Sequence, residues 1–281
     1  MTRDWIVGFD GSPSASHTVD WAAAQAHGRD MRLKLVSAWE VPFLARLSGI
    51  RMASGVDRAG LEATADHQLD TELTRLRAAS LEVAGEAVEG DARSVLIGES
   101  PRADLIIVGQ RGHDGTGPMH LGSVSRHCAT HSEVPTIIVP EDSGTGTVTR
   151  IAVGFDGSDE SRAALEWALF WAGAEVFIEV VRAFEVMNWL SPAATLERFQ
   201  PEIDDARAAF DEKVRSIDEA GRCVTRFEVG DAREVLDGVA SEVDVLVLGT
   251  RGASRITSTL LGSVATHLAH HARTPIAIVP S

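Results

Sequence analysis

Two stretches of the chain share one glycine pattern: GxxG, nine residues, then GS. They are Gly109-Gln110-Arg111-Gly112 with Gly122-Ser123, and Gly249-Thr250-Arg251-Gly252 with Gly262-Ser263. Each follows a short apolar run, residues 105–108 and 245–248, and each is expected to open a helix at its serine. Glycines permit positive φ and let a backbone approach a ligand closely, so that successive amides form a concave anion site. The hydroxyls of Ser123 and Ser263, with the free amides of Val124, Ser125, Val264 and Ala265, are then expected to face the loop, where the helix dipole favours negative charge. A chain of phosphates suits such a cradle, with Arg111 and Arg251 beside it.

A second motif stands after the first apolar run of each half: Asp10-Gly11-Ser12 and Asp156-Gly157-Ser158. An acid in a tight turn can accept hydrogen bonds from ribose hydroxyls or base amines. Open α/β sheets bind ligands at the carboxyl ends of strands where the winding reverses, which is where both motifs are expected to fall.

The elements that must position these residues come in two copies. Val7-Gly8-Phe9-Asp10-Gly11-Ser12 recurs letter for letter from Val153 to Ser158, and Trp21-Ala22 recurs as Trp167-Ala168. Gly90-Asp91-Ala92-Arg93 recurs as Gly230-Asp231-Ala232-Arg233, and Gly122-Ser123-Val124 as Gly262-Ser263-Val264. The spacing between copies falls from 146 to 140 along the way, so the first copy has about six extra residues, assigned to a longer loop before a helix within residues 41–89. Two domains are expected, residues 1–142 and 149–281, joined by the polar, glycine-rich linker 143–148.

Within each copy short β-branched runs alternate with helical patterns: Ile6-Val7, residues 33–38, residues 105–108 and residues 136–139 in the first. Such strands look buried on both faces. Ser12-Pro13 is a helix start, the serine capping free amides and the proline costing nothing at the first helical position. Val19, Ala22, Ala23 and Ala26, matched by Leu165, Ala168, Leu169 and Ala172, form the buried stripe of that helix. Strand, helix, strand with right-handed crossovers implies a three-layer, doubly wound α/β domain with a parallel sheet in each copy.

The loop spacing, at this place in a tandem repeat, resembles the ATP-binding class of the universal stress protein family, and the resemblance covers nearly the whole chain. It implies two tandem Rossmann-like domains of the adenine nucleotide alpha hydrolase type, each with a five-stranded parallel sheet and helices on both faces. It implies ATP or ADP, with Mg2+, bound once per domain. The acid after the first strand, Asp10 or Asp156, would contact the adenosine, and a residue after the second strand, Ala38 or Ala183, the adenine. It further implies a stress-response and growth regulator read by a protein partner. The copies would pair through their last strands, residues 135–140 and 275–280, as an internal pseudo-dimer, with homodimers beyond that.

Composition narrows the classes. A net charge of −15, with 13 basic residues in each half against 20 and 21 acidic ones, opposes nucleic-acid binding, which needs a basic face. Only Lys34 and Lys213 are lysines, so a side chain on phosphate is expected to be arginine. Cys128 and Cys223 form no disulfide or CxxC framework, and no apolar run reaches membrane-spanning length, so a cytoplasmic protein is expected.

Plainer readings compete with each motif. His127 and His131, matched by His267 and His271, have the i,i+4 spacing of metal ligands but lack an evident third, and are read as structural or surface residues. Trp21 and Trp167 are read as packing residues, and Trp39 stands closest to the ligand end. Met187-Asn188-Trp189-Leu190 is read as a lid or an interface. No Walker loop ending in Gly-Lys-Ser/Thr appears, nor an obvious catalytic base, so no catalytic residue is assigned and efficient hydrolysis is not expected. Slow ATP hydrolysis, with Asp10 or Asp156 positioning Mg2+ or water, and a structural protein with vestigial sites are the alternatives.

Overall fold

The computed structural model describes residues 3–27, 29, 31–41, 58–112, 121–185, 199–252 and 261–281. The chain forms two compact units, Met1–Thr147 and Val148–Ser281. The stretch 187–190 and the loop interiors 113–120 and 253–260 lie outside the described residues.

The first unit runs β1 (Arg3–Gly8), α1 (Pro13–Ala26), β2 (Met31–Trp39), α2 (Arg58–Ala78), β3 (Val83–Glu89), α3 (Ala92–Glu99), β4 (Leu105–Gly109), α4 (Ser123–His131) and β5 (Thr136–Val139). Its strands are all parallel, in the order β3-β2-β1-β4-β5. The second unit repeats this with β6 (Arg150–Gly154), α5 (Asp159–Trp171), β7 (Phe177–Phe184), α6 (Gln200–Ile217), β8 (Cys223–Val229), α7 (Ala232–Ala240), β9 (Val245–Gly249), α8 (Ser263–His271) and β10 (Ile276–Val279). Its order is β8-β7-β6-β9-β10, again parallel. Right-handed crossovers place the helices after β1 and β2 on one face and those after β3 and β4 on the other. Each unit is thus the doubly wound, five-stranded domain expected from the sequence.

The apolar runs form the centre of each sheet because they are covered on both faces. Trp5, Ile6, Val7, Leu105, Ile106, Ile107, Ile151, Val153, Val245 and Val247 are all at most 2% exposed. Against them pack Val19, Trp21, Ala22 and Ala26 of α1, and Leu165, Ala168 and Trp171 of α5. Trp21 is a core residue, whereas Trp167 is half-buried and stacks on Trp171 with ring centroids 5.5 Å apart.

Helix starts are written in side chains. Ser12 accepts from the amide of Ala15, with Pro13 opening α1, and Ser158 accepts from Ser161. Asp91 and Asp231 each take two amides at the starts of α3 and α7. The extra residues of the first copy divide between a connection and a helix. Residues 40–57 join β2 to α2 where 185–199 join β7 to α6, and α2 has 21 residues against 18 in α6. The longer loop expected there is therefore only half of the difference; the rest is nearly one helical turn.

Candidate functional site

The strand order reverses between β1 and β4, and between β6 and β9, so the turns leaving these strands share one end of each sheet. Gly11 and Gly157 take φ of +76° and +85°, which lets each chain leave its strand and fold back into the helix cap. In the first turn Asp10 Oδ1 accepts from the Ser12 amide at 3.0 Å. In the second, Asp156 Oδ1 accepts from the Ser158 amide at 3.0 Å and from the Ser158 hydroxyl at 2.5 Å. One carboxylate oxygen of each acid thus fixes its own turn.

The other oxygen faces the glycine loop. A Cβ built on Gly112 would stand 2.7 Å from Asp10 Oδ2, and one on Gly252 2.6 Å from Asp156 Oδ2. Acid and loop, about a hundred residues apart in sequence, are therefore in contact in both copies, and only a bare Cα fits between them.

Both loops are closed at their roots by the same backbone bond. The Gly122 amide donates to the Gln110 carbonyl at 2.8 Å, and the Gly262 amide to the Thr250 carbonyl at 2.8 Å. Gln110 and Thr250 are themselves tied to the neighbouring strand, donating to Val139 and Val279. Gly122 and Gly262 then serve as N-caps of α4 and α8 with no side-chain cap. The first intrahelical bonds are Arg126 to Gly122 and Thr266 to Gly262. The amides of Ser123, Val124 and Ser125, and of Ser263, Val264 and Ala265, consequently precede the ladder and have no partner among the described residues. At α1, α3, α5 and α7 such amides are answered by Ser12, Asp91, Ser158 and Asp231.

Two expectations about this site change. None of Gly109, Gly112, Gly122, Gly249, Gly252 or Gly262 has positive φ; these glycines supply room, not an unusual backbone conformation. For Gly109 and Gly249 the room is taken by the first helix. A Cβ on Gly109 would meet Thr18 Oγ1 at 3.0 Å and Ser14 Oγ at 3.1 Å, and one on Gly249 the Glu160 backbone at 2.7 Å. The Ser125 hydroxyl is turned inward, 2% exposed, donating to Gln110 O at 3.0 Å and Gly122 O at 3.1 Å, so it braces the loop root while only its amide faces outward.

Strand register makes Ala38 and Ala183 equivalent. Gly8 pairs with Val36 and Gly154 with Val181, and the amides of Phe9 and Phe155 donate to the carbonyls of those valines. One residue beyond each alanine the copies part: Trp39 is 92% buried and its Nε1 has no hydrogen-bond partner among the described residues, whereas Phe184 is half-buried. Arg111 and Arg251 are both half-buried on the loops.

These paired geometries coincide with a sequence relationship. The universal stress protein family model matches residues 1–140 and again residues 147–280. The chain belongs to the universal stress protein family. A universal stress protein of Mycobacterium tuberculosis, Rv2623, is 29% identical over 97% of this chain and 95% of its own length. Another, from Mycolicibacterium smegmatis, is 26% identical over 98% and 96%. Among solved structures, a universal stress protein from Archaeoglobus fulgidus superimposes with a TM-score of 0.68 at 16% identity, covering 99% of this chain and 98% of that one. Tandem universal stress protein domains thus account for nearly the whole chain, and the solved structure shares the fold.

Sequence reasoning missed four groups at the site of this universal stress protein. Gln68 of α2 and Lys213 of α6 stand over the first-strand turns, at 2.6 Å and 2.9 Å from where a Cβ of Gly11 or Gly157 would be. The Gln110 and Thr250 carbonyls close the loops. Lys213 had a signal, being one of two lysines in the chain; a backbone carbonyl has none.

The histidine pairs have a local explanation. His127 and His131 stack at 4.2 Å and His267 and His271 at 4.6 Å, while Nδ1 of the later residue faces the carbonyl of the earlier. Burial holds His127 below the usual imidazole range, helped by His131 and Arg93. No group of three or more His, Cys, Asp or Glu that could hold a metal occurs among the described residues, and no described helix is long and apolar enough to cross a membrane.

Proposed function

We propose that this protein binds an adenine nucleotide, ATP or ADP with Mg2+, once in each copy, and acts as a nucleotide-dependent stress-response and growth regulator with little or no turnover. The observation that carries this reading is the duplicated cradle. In both copies a loop closed by one backbone bond leads to three helix amides with no partner among the described residues, beside a glycine whose bare Cα faces a carboxylate. Amides at a helix start attract phosphate, and the dipole adds to that attraction.

Each residue then has a role. Gly112, Gly122, Ser123, Val124 and Ser125, with Gly252, Gly262, Ser263, Val264 and Ala265, would hold the phosphates through their backbone, assisted by Arg111 and Arg251. Gly109 and Gly249 bring each loop close to the first helix. Asp10 and Asp156, positioned by Gly11-Ser12 and Gly157-Ser158, would take ribose or base, and the backbone at Ala38 and Ala183 would take adenine. Mg2+ would neutralise phosphate charge. Family membership of both halves supports one site per copy. The regulatory step is a change in the surface around residues 109–123 and 249–263 that a protein partner reads, which requires ATP to favour one loop state energetically.

Calorimetric titration of nucleotide-free protein with Mg-ATP tests this, alongside Gly112→Ala and Gly252→Ala. Two binding events lost one at a time are expected. Absence of heat and of any thermal shift would leave a structural protein with vestigial sites.

A further inference from the structure

The two first-strand turns lie beneath side chains of different charge. Gln68 of α2 covers Gly11, and Lys213 of α6 covers Gly157. The other lysine of the chain, Lys34, is committed to Glu86 and Glu99 at 3.0 Å and 2.7 Å. Lys213 has no carboxylate partner among the described residues, and its side chain is exposed.

The charge beside it is also different. The first turn of α5 carries Asp159 and Glu160, whereas that of α1 carries no acid. These acids already answer the positive end of the α5 dipole, and with Asp156 they set three carboxylate residues at or beside one turn. A ligand bearing several negative charges meets repulsion there unless a cation answers it. In the first copy the helix turn beside Asp10 carries no acid, and a neutral amide is enough.

We infer that Lys213 makes the second copy selective for a polyanionic ligand, a nucleoside di- or triphosphate over the uncharged nucleoside, while Gln68 leaves the first copy less discriminating. This rests on the nucleotide-binding reading above and assigns the two copies different ligands of one class. As cellular nucleotide charge state varies, the first site responds to the adenosine moiety and the second to the phosphate chain.

The test uses the full chain, titrated with ATP and with adenosine, in the Gly112→Ala background to read the second copy and the Gly252→Ala background to read the first. The ratio of ATP to adenosine affinity is expected to be larger in the second copy. Lys213→Gln should lower its ATP affinity about fivefold, the scale of one partly solvated ion pair, and leave adenosine unchanged. Lys213→Arg should retain the ratio, and Gln68→Lys should raise it in the first copy. Added salt should shrink the difference. The same substitutions in the otherwise unaltered chain, read as the change in ATP affinity, keep the test independent of the glycine variants. A ratio indifferent to Lys213→Gln overturns this inference alone; failure of the unaltered chain to bind either ligand overturns the nucleotide reading with it.

Discussion

Asp10 Oδ2 and the Cα of Gly112 are in contact across the site, so closely that a methyl group on the glycine would stand 2.7 Å from the oxygen. Asp156 and Gly252 repeat the relationship at 2.6 Å. Because Oδ1 of each acid is fixed on its own turn, the carboxylate cannot rotate away without breaking that turn. Gly112→Ala and Gly252→Ala should therefore displace the loop from the acid and abolish nucleotide binding in the altered copy, with little change in melting temperature. The double variant Asp10→Ala/Gly112→Ala removes the collision and should recover part of the binding lost by Gly112→Ala. Equal loss in the single and double variants, by calorimetry, would refute the steric account.

The glycine three residues earlier behaves differently. Gly249 packs against the Glu160 backbone, which cannot move without shifting α5, whereas Gly109 meets the side chains of Thr18 and Ser14 and the Arg111 carbonyl. Overpacking of this kind costs about 1–3 kcal/mol. Gly249→Ala should fall at the upper end and Gly109→Ala below it, both measured by urea denaturation. The reverse order would contradict the backbone-contact explanation.

Much of this arrangement could be read from the residues. Central strands are continuous apolar runs because both faces are covered, and Ser12-Pro13 marks α1 by its chemistry. The edge strands β3 and β8 went unplaced because none of their residues is buried, so no apolar run marks them. The glycine spacing located the loops but not the reason for the glycines. Positive φ falls at Gly11 and Gly157, while the loop glycines answer to Asp10, α1 and the loop root, contacts that no local pattern encodes. Lys213 reads in sequence as one charge on a solvated helix face; only the fold carries it over Gly157.

Asp91 caps α3 by accepting from the amides of Arg93 and Ser94. Its carboxyl is lowered to about 2, first by the Arg93 guanidinium and also by those amides. A depressed folded value means that the stabilisation is fully present above the unfolded value, near 4, and is lost as pH falls through about 2. Asp91→Ala should cost about 1 kcal/mol at neutral pH. The gap between variant and parent, followed by denaturation from pH 6 downward, should narrow below pH 4.

Neither cysteine is poised as a redox sensor. Burial pushes the Cys128 thiol up to about 12, and burial with the neighbouring Asp218 carboxylate pushes Cys223 up to about 12. Thiolate is the reactive form, so both should resist a disulfide reagent such as Ellman's at pH 8 and react fully once the chain is unfolded in guanidinium. Rapid reaction of one thiol per chain in the folded state would contradict this.

Ser80 ends α2 in the left-handed region, at φ +62°, with its amide donating to Arg77 and the Leu81 amide reaching back to Leu76. This is the turn that glycine favours after a helix, and Gly221 takes φ +67° after α6 in the second copy. A side chain there costs about 1 kcal/mol, because Cβ crowds the following carbonyl. The two copies therefore predict opposite responses. Ser80→Gly should stabilise the first unit by about 1 kcal/mol, and Gly221→Ala should destabilise the second by a similar amount. Neither Ser80 nor Gly221 is among the residues that stand over Gly11 or Gly157, so nucleotide affinity should be unchanged in either variant. Thermal denaturation with and without ATP measures both quantities, and a destabilising Ser80→Gly would show that the serine side chain contributes more than its backbone strain removes.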